Sequence, residues 1–432
     1  DGATSTAILG NYFNEINQEV EIYIPDRKTE GYGPSKKGFE KLISSGSKLI
    51  FTVDCGTLSF DTIEFSQNKN TDVLVLDHHQ SELKLPKAFS VVNPNRYDDK
   101  SNLNYLCAAG VCFMFLVALN KKLRELNWFK KNNINEPNLI NYLDLVSLGT
   151  VCDVVPLIGL NRAIVSQGLE ILKKKSNLGL KTLKNICGIE SNLSTYHLGY
   201  ILGPRINAGG RVGRCSHGAN LLLSRDSKEI FKIATELESY NKERKLIENA
   251  MLKKIESTIV INSNESVIVL SGHNWHGGII GIVAARLKEK YNKPTVIISV
   301  EKGLGRASAR SVVGFDIGTA IISAVQNNIL KKGGGHKMAA GFTIEENKIE
   351  EFKEFIKKKF SKIQKNLNKT NILFFDSKIS PSALNEEFFS EINSLSPFGS
   401  GNPEPRFVIE DLELLKSSIV GEKHIKSLLS AR

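Results

Sequence analysis

Asp77, His78 and His79 stand in a row directly after the apolar run Val73-Leu74-Val75-Leu76. A lone histidine leaving a strand is ordinarily structural. An Asp-His-His triple at a strand end differs, because it offers carboxylate and imidazole together, ligands suited to Mn2+, Mg2+ or Zn2+. A second apolar run, Leu49 to Val53, ends in the same way at Asp54. Asp1 sits at a helix start, and Asp153 follows the buried-helix pattern of 139–150. A mainly oxygen site with one or two nitrogens points to Mn2+ or Mg2+ rather than zinc. The six cysteines form no CxxC pair, so no thiolate framework competes with that reading.

Two further constellations lie in the second half. Gly333-Gly334-Gly335 permits close backbone approach and presents amide N–H groups, with His336 and Lys337 directly behind. Gly305-Arg306-Ala307-Ser308-Ala309-Arg310 places guanidinium forks and a hydroxyl among small residues, a chemistry suited to phosphate. Each segment alone reads as a tight turn with solvated side chains. Together in one basic region they favour phosphate binding.

The elements that must position these groups are α/β in character. Strand and helix patterns alternate through the first ~220 residues, which predicts a mostly parallel sheet. In such sheets ligands bind at the carboxyl ends of the strands, where Asp54 and Asp77 fall. The pattern predicts helices over 3–13 and 34–45 and a strand over 20–24. An amphipathic pattern over 225–255 predicts one helix of about 30 residues, roughly 45 Å long, acting as an interdomain strut. Strands at 266–270 and 295–300 and a helix at 279–288 follow. The last segment predicts strands at 372–375 and 407–409, with a rigid proline- and glycine-rich loop over 397–405 between them. The expected division is 1–220, the connecting helix 221–258, a smaller α/β domain 259–365, and a partial β domain 366–432.

Composition bounds the rest. The chain has 432 residues, and 57 Lys+Arg against 46 Asp+Glu leave a formal charge of +11. With 41% hydrophobic and 24% charged residues it is globular rather than disordered. No run approaches the ~20 apolar residues of a membrane span. Sparse cysteines favour reduced thiols, packed as small hydrophobes, and a cytoplasmic protein. The basic excess suits a polyanionic partner. Lysine runs at 173–175 and 357–359 read as solvated faces, and Tyr12, Phe13 and Phe39 as core. For Trp275-His276-Gly277-Gly278, packing at a helix start weighs as much as substrate contact.

In several ordered segments the chain resembles the DHH phosphoesterase superfamily. Asp1-Gly2-Ala3-Thr4-Ser5 is similar to the tail of the family's first motif, Asp-x-Asp-x-Asp-Gly, and Thr52-Val53-Asp54-Cys55-Gly56 to its second. Asp77-His78-His79 is the motif that names the family, and Leu148 to Asp153 matches the fourth. Gly203 to Arg211 resembles the Pro-Arg-Ile-Asn-Ala segment, and Gly333 to Gly341 the glycine-rich signature of the DHH-associated domain. The two earlier aspartates of the first motif are expected upstream of Asp1. The end of the chain resembles the start of an oligonucleotide-binding (OB) barrel.

The resemblance implies a parallel-sheet DHH domain, a long helix, a smaller α/β DHH-associated domain and the start of an OB-like barrel. It implies a metal-dependent 5′→3′ exonuclease specific for single-stranded DNA, releasing mononucleotides in repair and recombination with two Mn2+ or Mg2+ ions. Asp1, Asp54, His78 and Asp153 would hold metal, with Asp54 shared. Asp77 would orient the imidazoles, and His79 would act at the scissile phosphate. Arg205, Asn207 and Arg211 would contact the DNA backbone, and Ser308, Arg310 and His336 the substrate phosphates. The enzyme would act as a monomer, with a helicase and a single-strand-binding protein as partners. The alternatives are a phosphodiesterase for short oligoribonucleotides or cyclic dinucleotides, and a catalytically inactive single-strand-binding scaffold.

Overall fold

The computed structural model describes residues 1–26, 30–31, 33–258, 265–364, 373–421 and 424–431. Three short strands form a parallel sheet in the order β1 (Leu49–Val53), β2 (Asp72–Leu76), β3 (Ser90–Val92). Val73, Val75 and Leu76 of the central strand are buried, as an apolar run covered on both faces requires. The register aligns the strand ends. Val53 pairs with Leu76, and Leu76 with Val92. The residues that follow, Asp54, Asp77 and Asn93, therefore leave the sheet along one edge.

The expected strand over 20–24 does not form. Those residues run along a cleft wall beside β1 and have no ladder partner among the described residues. Nor does strand–helix alternation continue to residue 220. From Ala108 to Thr258 the described elements are all helical. The Leu143–Cys152 helix is buried on nearly every side, with Leu145, Val146 and Leu148 fully enclosed, and it delivers Asp153 at its C-terminal end. It packs on the Gly159–Lys174 helix so closely that a Cβ on Gly168 would fall 1.8 Å from Ser147 Oγ and 2.3 Å from the Leu143 carbonyl.

The long helix runs from Ser227 to Thr258, 32 residues. Glu248 on it is buried between Arg244 Nη1 at 3.0 Å and Arg286 Nε at 3.2 Å, and Glu256 meets Lys290 Nζ at 2.6 Å. Arg286 and Lys290 belong to the Ile280–Tyr291 helix of the second domain, so this strut is fastened to what it carries. That domain is a mixed five-stranded sheet built from β4 (Ile268–His273), β5 (Thr295–Glu301), β6 (Leu304–Arg310), β7 (Lys332–His336) and β8 (Ala339–Glu345). The order is β4-β5-β6-β8-β7, with only β4 and β5 parallel.

The glycine–arginine and triple-glycine segments are strands β6 and β7, not tight turns. In β6 Gly305, Ala307 and Ala309 face the core, which places Arg306, Ser308 and Arg310 together on the other face. In β7 a Cβ at Gly335 would lie 2.4 Å from Ala340 Cα, so the hairpin itself needs glycine there.

The third segment holds a parallel pair, Ser377–Lys378 with Phe407–Val408, and an antiparallel pair, Leu412–Val420 with His424–Ala431. No closed barrel forms among the described residues. The strand expected over 372–375 starts instead at Ser377, residue 372 lying outside the described ones. Because Gly168 sits against backbone, Gly168→Ala is expected to lower stability by about 1–3 kcal/mol through overpacking, read as a lower urea midpoint at unchanged slope.

Candidate metal centre and its cleft

The carboxyl edge of the parallel sheet collects charge of one sign. Asp1 turns its carboxylate onto the first amides of the 18-residue Ala108–Glu125 helix, accepting from Ala108 N at 2.6 Å and Ala109 N at 2.9 Å. The positive end of that helix offsets part of the carboxylate charge. Gly149 makes room, since a Cβ there would lie 3.0 Å from Asp1 Oδ1. Asp54 holds φ at 58° and Val154, just after Asp153, holds 61°. A β-branched residue in the left-handed region is strained, so the chain bends sharply where it delivers Asp153.

His78 Nε2 stands 3.4 Å from Asp54 Oδ1, 3.6 Å from Asp153 Oδ2 and 3.7 Å from Asp1 Oδ2. Burial pulls its pKa down, but the hydrogen bond to Asp54 and the charges of Asp153 and Asp54 outweigh burial and raise it. Burial raises the pKa of Asp153. Ligands about 2.1 Å from a Mg2+-sized ion lie roughly 3 Å apart when adjacent and 4 Å when opposite. The spacing around His78 falls within that span, and the donors are oxygens and nitrogen, so the residues fit a hard divalent ion. Among the described residues two overlapping groups qualify, Asp1–His78–Asp153 and Asp54–His78–His79, each with its ligand atoms within 4.8 Å of one another. The second brings His79 into metal range, a placement the sequence did not suggest.

Asp77 plays a different part. It is buried, and its oxygens accept from Thr57 N at 3.0 Å, His78 N at 2.8 Å and His79 N at 3.2 Å. Its Oδ1 also meets His79 Nδ1 at 2.7 Å, so it fixes the ring of His79 and the backbone of both histidines. Burial alone would raise its pKa, yet the bonds to His79 and Thr57 hold it well below the carboxylate range.

Two further residues missed by the sequence reading complete the turn. Buried Asn93 donates to Thr57 Oγ1 at 2.9 Å and to the His79 carbonyl at 2.8 Å. Asn95 donates to the His78 carbonyl at 2.6 Å. The available signal was an Asn-Pro-Asn triplet directly after an apolar strand.

The flanking thiols stay protonated. Burial drives the Cys55 pKa up strongly and that of Cys152 to about 11. Cys107 and Cys112 are buried as expected, whereas Cys55, Cys152, Cys187 and Cys215 are only half-buried.

From the second domain, His336 stacks on His79 with ring centroids 5.9 Å apart. Burial and then the charges of His79 and His78 lower its pKa. Arg310 bonds to Ser308 Oγ at 3.2 Å and the Ala309 carbonyl at 2.8 Å, with no carboxylate in ion-pair range among the described residues. Burial lowers its pKa. A cleft of about 1130 Å³ opens beside the carboxylates and is lined by Asp1, Asp54, Asp153, Asn207 and Arg211, among others. Arg211 Nη1 reaches across to the Gly278 carbonyl at 2.9 Å. Arg205 departs from expectation. Its guanidinium is already engaged, with Glu238 at 2.5 Å and the Ile201 carbonyl at 2.8 Å.

Family models match in the same order as the domains. The DHH family N-terminal domain covers residues 1–150, the DHHA1 domain 264–362 and the RecJ OB domain 375–432. The single-stranded-DNA-specific exonuclease RecJ of Haemophilus influenzae is 33% identical over 447 residues, all of this chain and 77% of that protein. This chain belongs to the RecJ family. RecJ from Thermus thermophilus in complex with Mn2+ superposes with a TM-score of 0.83 at 29% identity, covering 99% of this chain. The Mg2+ complex of the same RecJ gives 0.75 at 29% identity and 99% coverage. The chain spans about 60% of the length of those two Thermus RecJ chains.

Removing the Asn93 amide leaves a buried hydroxyl and carbonyl without a donor, so Asn93→Ala is expected to cost about 1–3 kcal/mol, read by denaturant titration. Asp77, with its pKa held below the ordinary value of 3.8, stabilises the fold above that pH and progressively less as pH falls below it. The metal-free protein is therefore expected to lose stability in acid more steeply than Asp77→Asn, measured as Tm against pH.

Proposed function

We propose that the protein is a single-stranded-DNA-specific exonuclease that hydrolyses phosphodiester bonds from the 5′ end and releases 5′-mononucleotides. The observation that carries this is the His78 imidazole within 3.7 Å of three carboxylates delivered by three separate segments. A RecJ-family domain order stands around it. Asp1, His78 and Asp153 would hold one Mn2+ or Mg2+ ion, and Asp54 would be shared with a second. Bound there, divalent ions lower the pKa of water and offset charge on the phosphodiester.

The chain's own residues supply the rest. Asp77 holds the His79 ring against rotation, so that its Nε2 can bond to a phosphate or leaving oxygen at a fixed place. His336, stacked on it and kept toward its neutral form, bounds the same space from the second domain and contacts the scissile phosphate. Ser308 and Arg310 grip the 5′-terminal phosphate. A half-buried guanidinium without a carboxylate partner among the described residues is stabilised by an incoming anion, and the first turn of the 12-residue Ile280–Tyr291 helix adjoins it. A Cβ on Gly281 would lie 2.9 Å from Ser308 Oγ and 3.2 Å from Arg310 Nη2. Asn207 and Arg211 contact the backbone along the cleft, while Arg205, paired with Glu238, steadies the turn that carries them.

On this reading the cleft admits a single strand and excludes duplex, so a helicase and a single-strand-binding protein are the partners that would supply substrate. No described helix is long and apolar enough to cross a membrane. A monomer acting on cytoplasmic DNA in repair and recombination fits this reading.

With Mn2+, the protein is expected to release mononucleotides from a 5′-phosphorylated single strand and to spare a blunt duplex; equal rates on both would refute strand selectivity. Asp54→Ala is expected to lose turnover together with calorimetric Mn2+ binding. Arg310→Ala is expected to lower kcat/KM about 10- to 100-fold on 5′-phosphorylated strands and to change little on 5′-hydroxyl strands.

A further inference from the structure

Tyr196 and Tyr200 form an exposed aromatic pair that nothing above uses. Their rings stack 5.4 Å apart at 30°, yet 60% of Tyr196 and 75% of Tyr200 remain open to solvent. Large aromatic rings left this open cost apolar exposure that a purely structural role would bury.

Their setting is specific. Tyr200 lies in a π-helical turn, His197–Leu202, an uncommon conformation that gathers at functional sites. Pro204 has no N–H to give the Tyr200 carbonyl, which favours the wider turn. Gly199, Gly203 and Asn207, spaced four apart, line the cleft with Asp153. The tyrosines, also four apart, are one residue out of step with that row and so occupy the adjoining face of the same helical segment. On the other side, Thr195 Oγ1 bonds to the Phe398 carbonyl at 2.7 Å, and Leu157 N bonds to the Ser400 carbonyl at 2.6 Å. The pair therefore stands between the lip of the metal cleft and the loop that docks the third domain.

We infer that Tyr196 and Tyr200 are a base-stacking platform for the single strand where it passes between the cleft and the third domain. This rests on the function proposed above. Bases of any identity present a π face, so stacking there holds a polynucleotide without reading its sequence. The phosphates stay on the cleft side, where Arg211 lies and where metal held by the carboxylates would meet them, which separates backbone contacts from base contacts along one strand.

The test uses the Mn2+-loaded protein and two 5′-phosphorylated thymidine 20-mers, one complete and one lacking bases beyond its fourth nucleotide. On the complete strand the Tyr196→Ala, Tyr200→Ala double variant is expected to raise KM about 5- to 100-fold at near-constant kcat. The double phenylalanine variant is expected to stay within about twofold of wild type, since phenylalanine keeps the ring. On the base-free strand the alanine variant and wild type are expected to coincide. An unchanged KM on the complete strand, or an equal loss on both strands, overturns the platform while leaving the nuclease reading standing. Failure of wild type to release nucleotides from either strand overturns that reading, and the platform with it.

Discussion

Three carboxylates around one imidazole nitrogen repel one another, and most of the first domain serves to hold them there. Each is restrained by a different device. Asp1 is pinned by the leading amides of a helix, Asp54 by a left-handed backbone turn, and Asp153 by a buried apolar helix that ends in a strained residue. Removing any one device would let electrostatics separate the group. Repulsion of this kind is stored free energy, and a divalent cation releases it by replacing like-charge contacts with coordination.

The same arrangement explains why Asp77 is not simply a fourth member of the cluster. Its oxygens are spent on three backbone amides and one ring nitrogen, which makes it the keystone of the turn. Asn93 and Asn95 repeat the logic from the neighbouring strand end, fixing the carbonyls of His79 and His78. The second domain offers the opposite charge in Arg310, half-buried and without an acid partner among the described residues. With divalent cations held by the cluster, a chain of phosphates would meet positive charge at both places.

Much of the site was legible because apolar runs ending in Asp54 and Asp77 announce buried strands with charge at their ends. The strand ends share an edge through register, which no local pattern specifies. The segment 20–24 alternates like a strand but lacks a ladder partner, and pairing is a property of two segments. The triple glycine read as a turn because glycine marks both turns and close strand contacts, and only the neighbour Ala340 distinguishes them. Arg205 looked available because its partner, Glu238, lies 33 residues away on another helix. Asn93 and Asn95 showed only as a turn-like Asn-Pro-Asn triplet for a similar reason, since their importance lies in carbonyls more than ten residues distant.

The 32-residue helix from Ser227 to Thr258 has one more consequence. It is tied to the Ile280–Tyr291 helix at Glu248 and Glu256, and beyond it His336 must arrive over His79. A single residue inserted into it would advance everything that follows by about 1.5 Å and turn it by roughly 100°. The helix is thus a ruler whose length is constrained as tightly as the identity of any ligand. Its surface residues are free to vary, while their number is not.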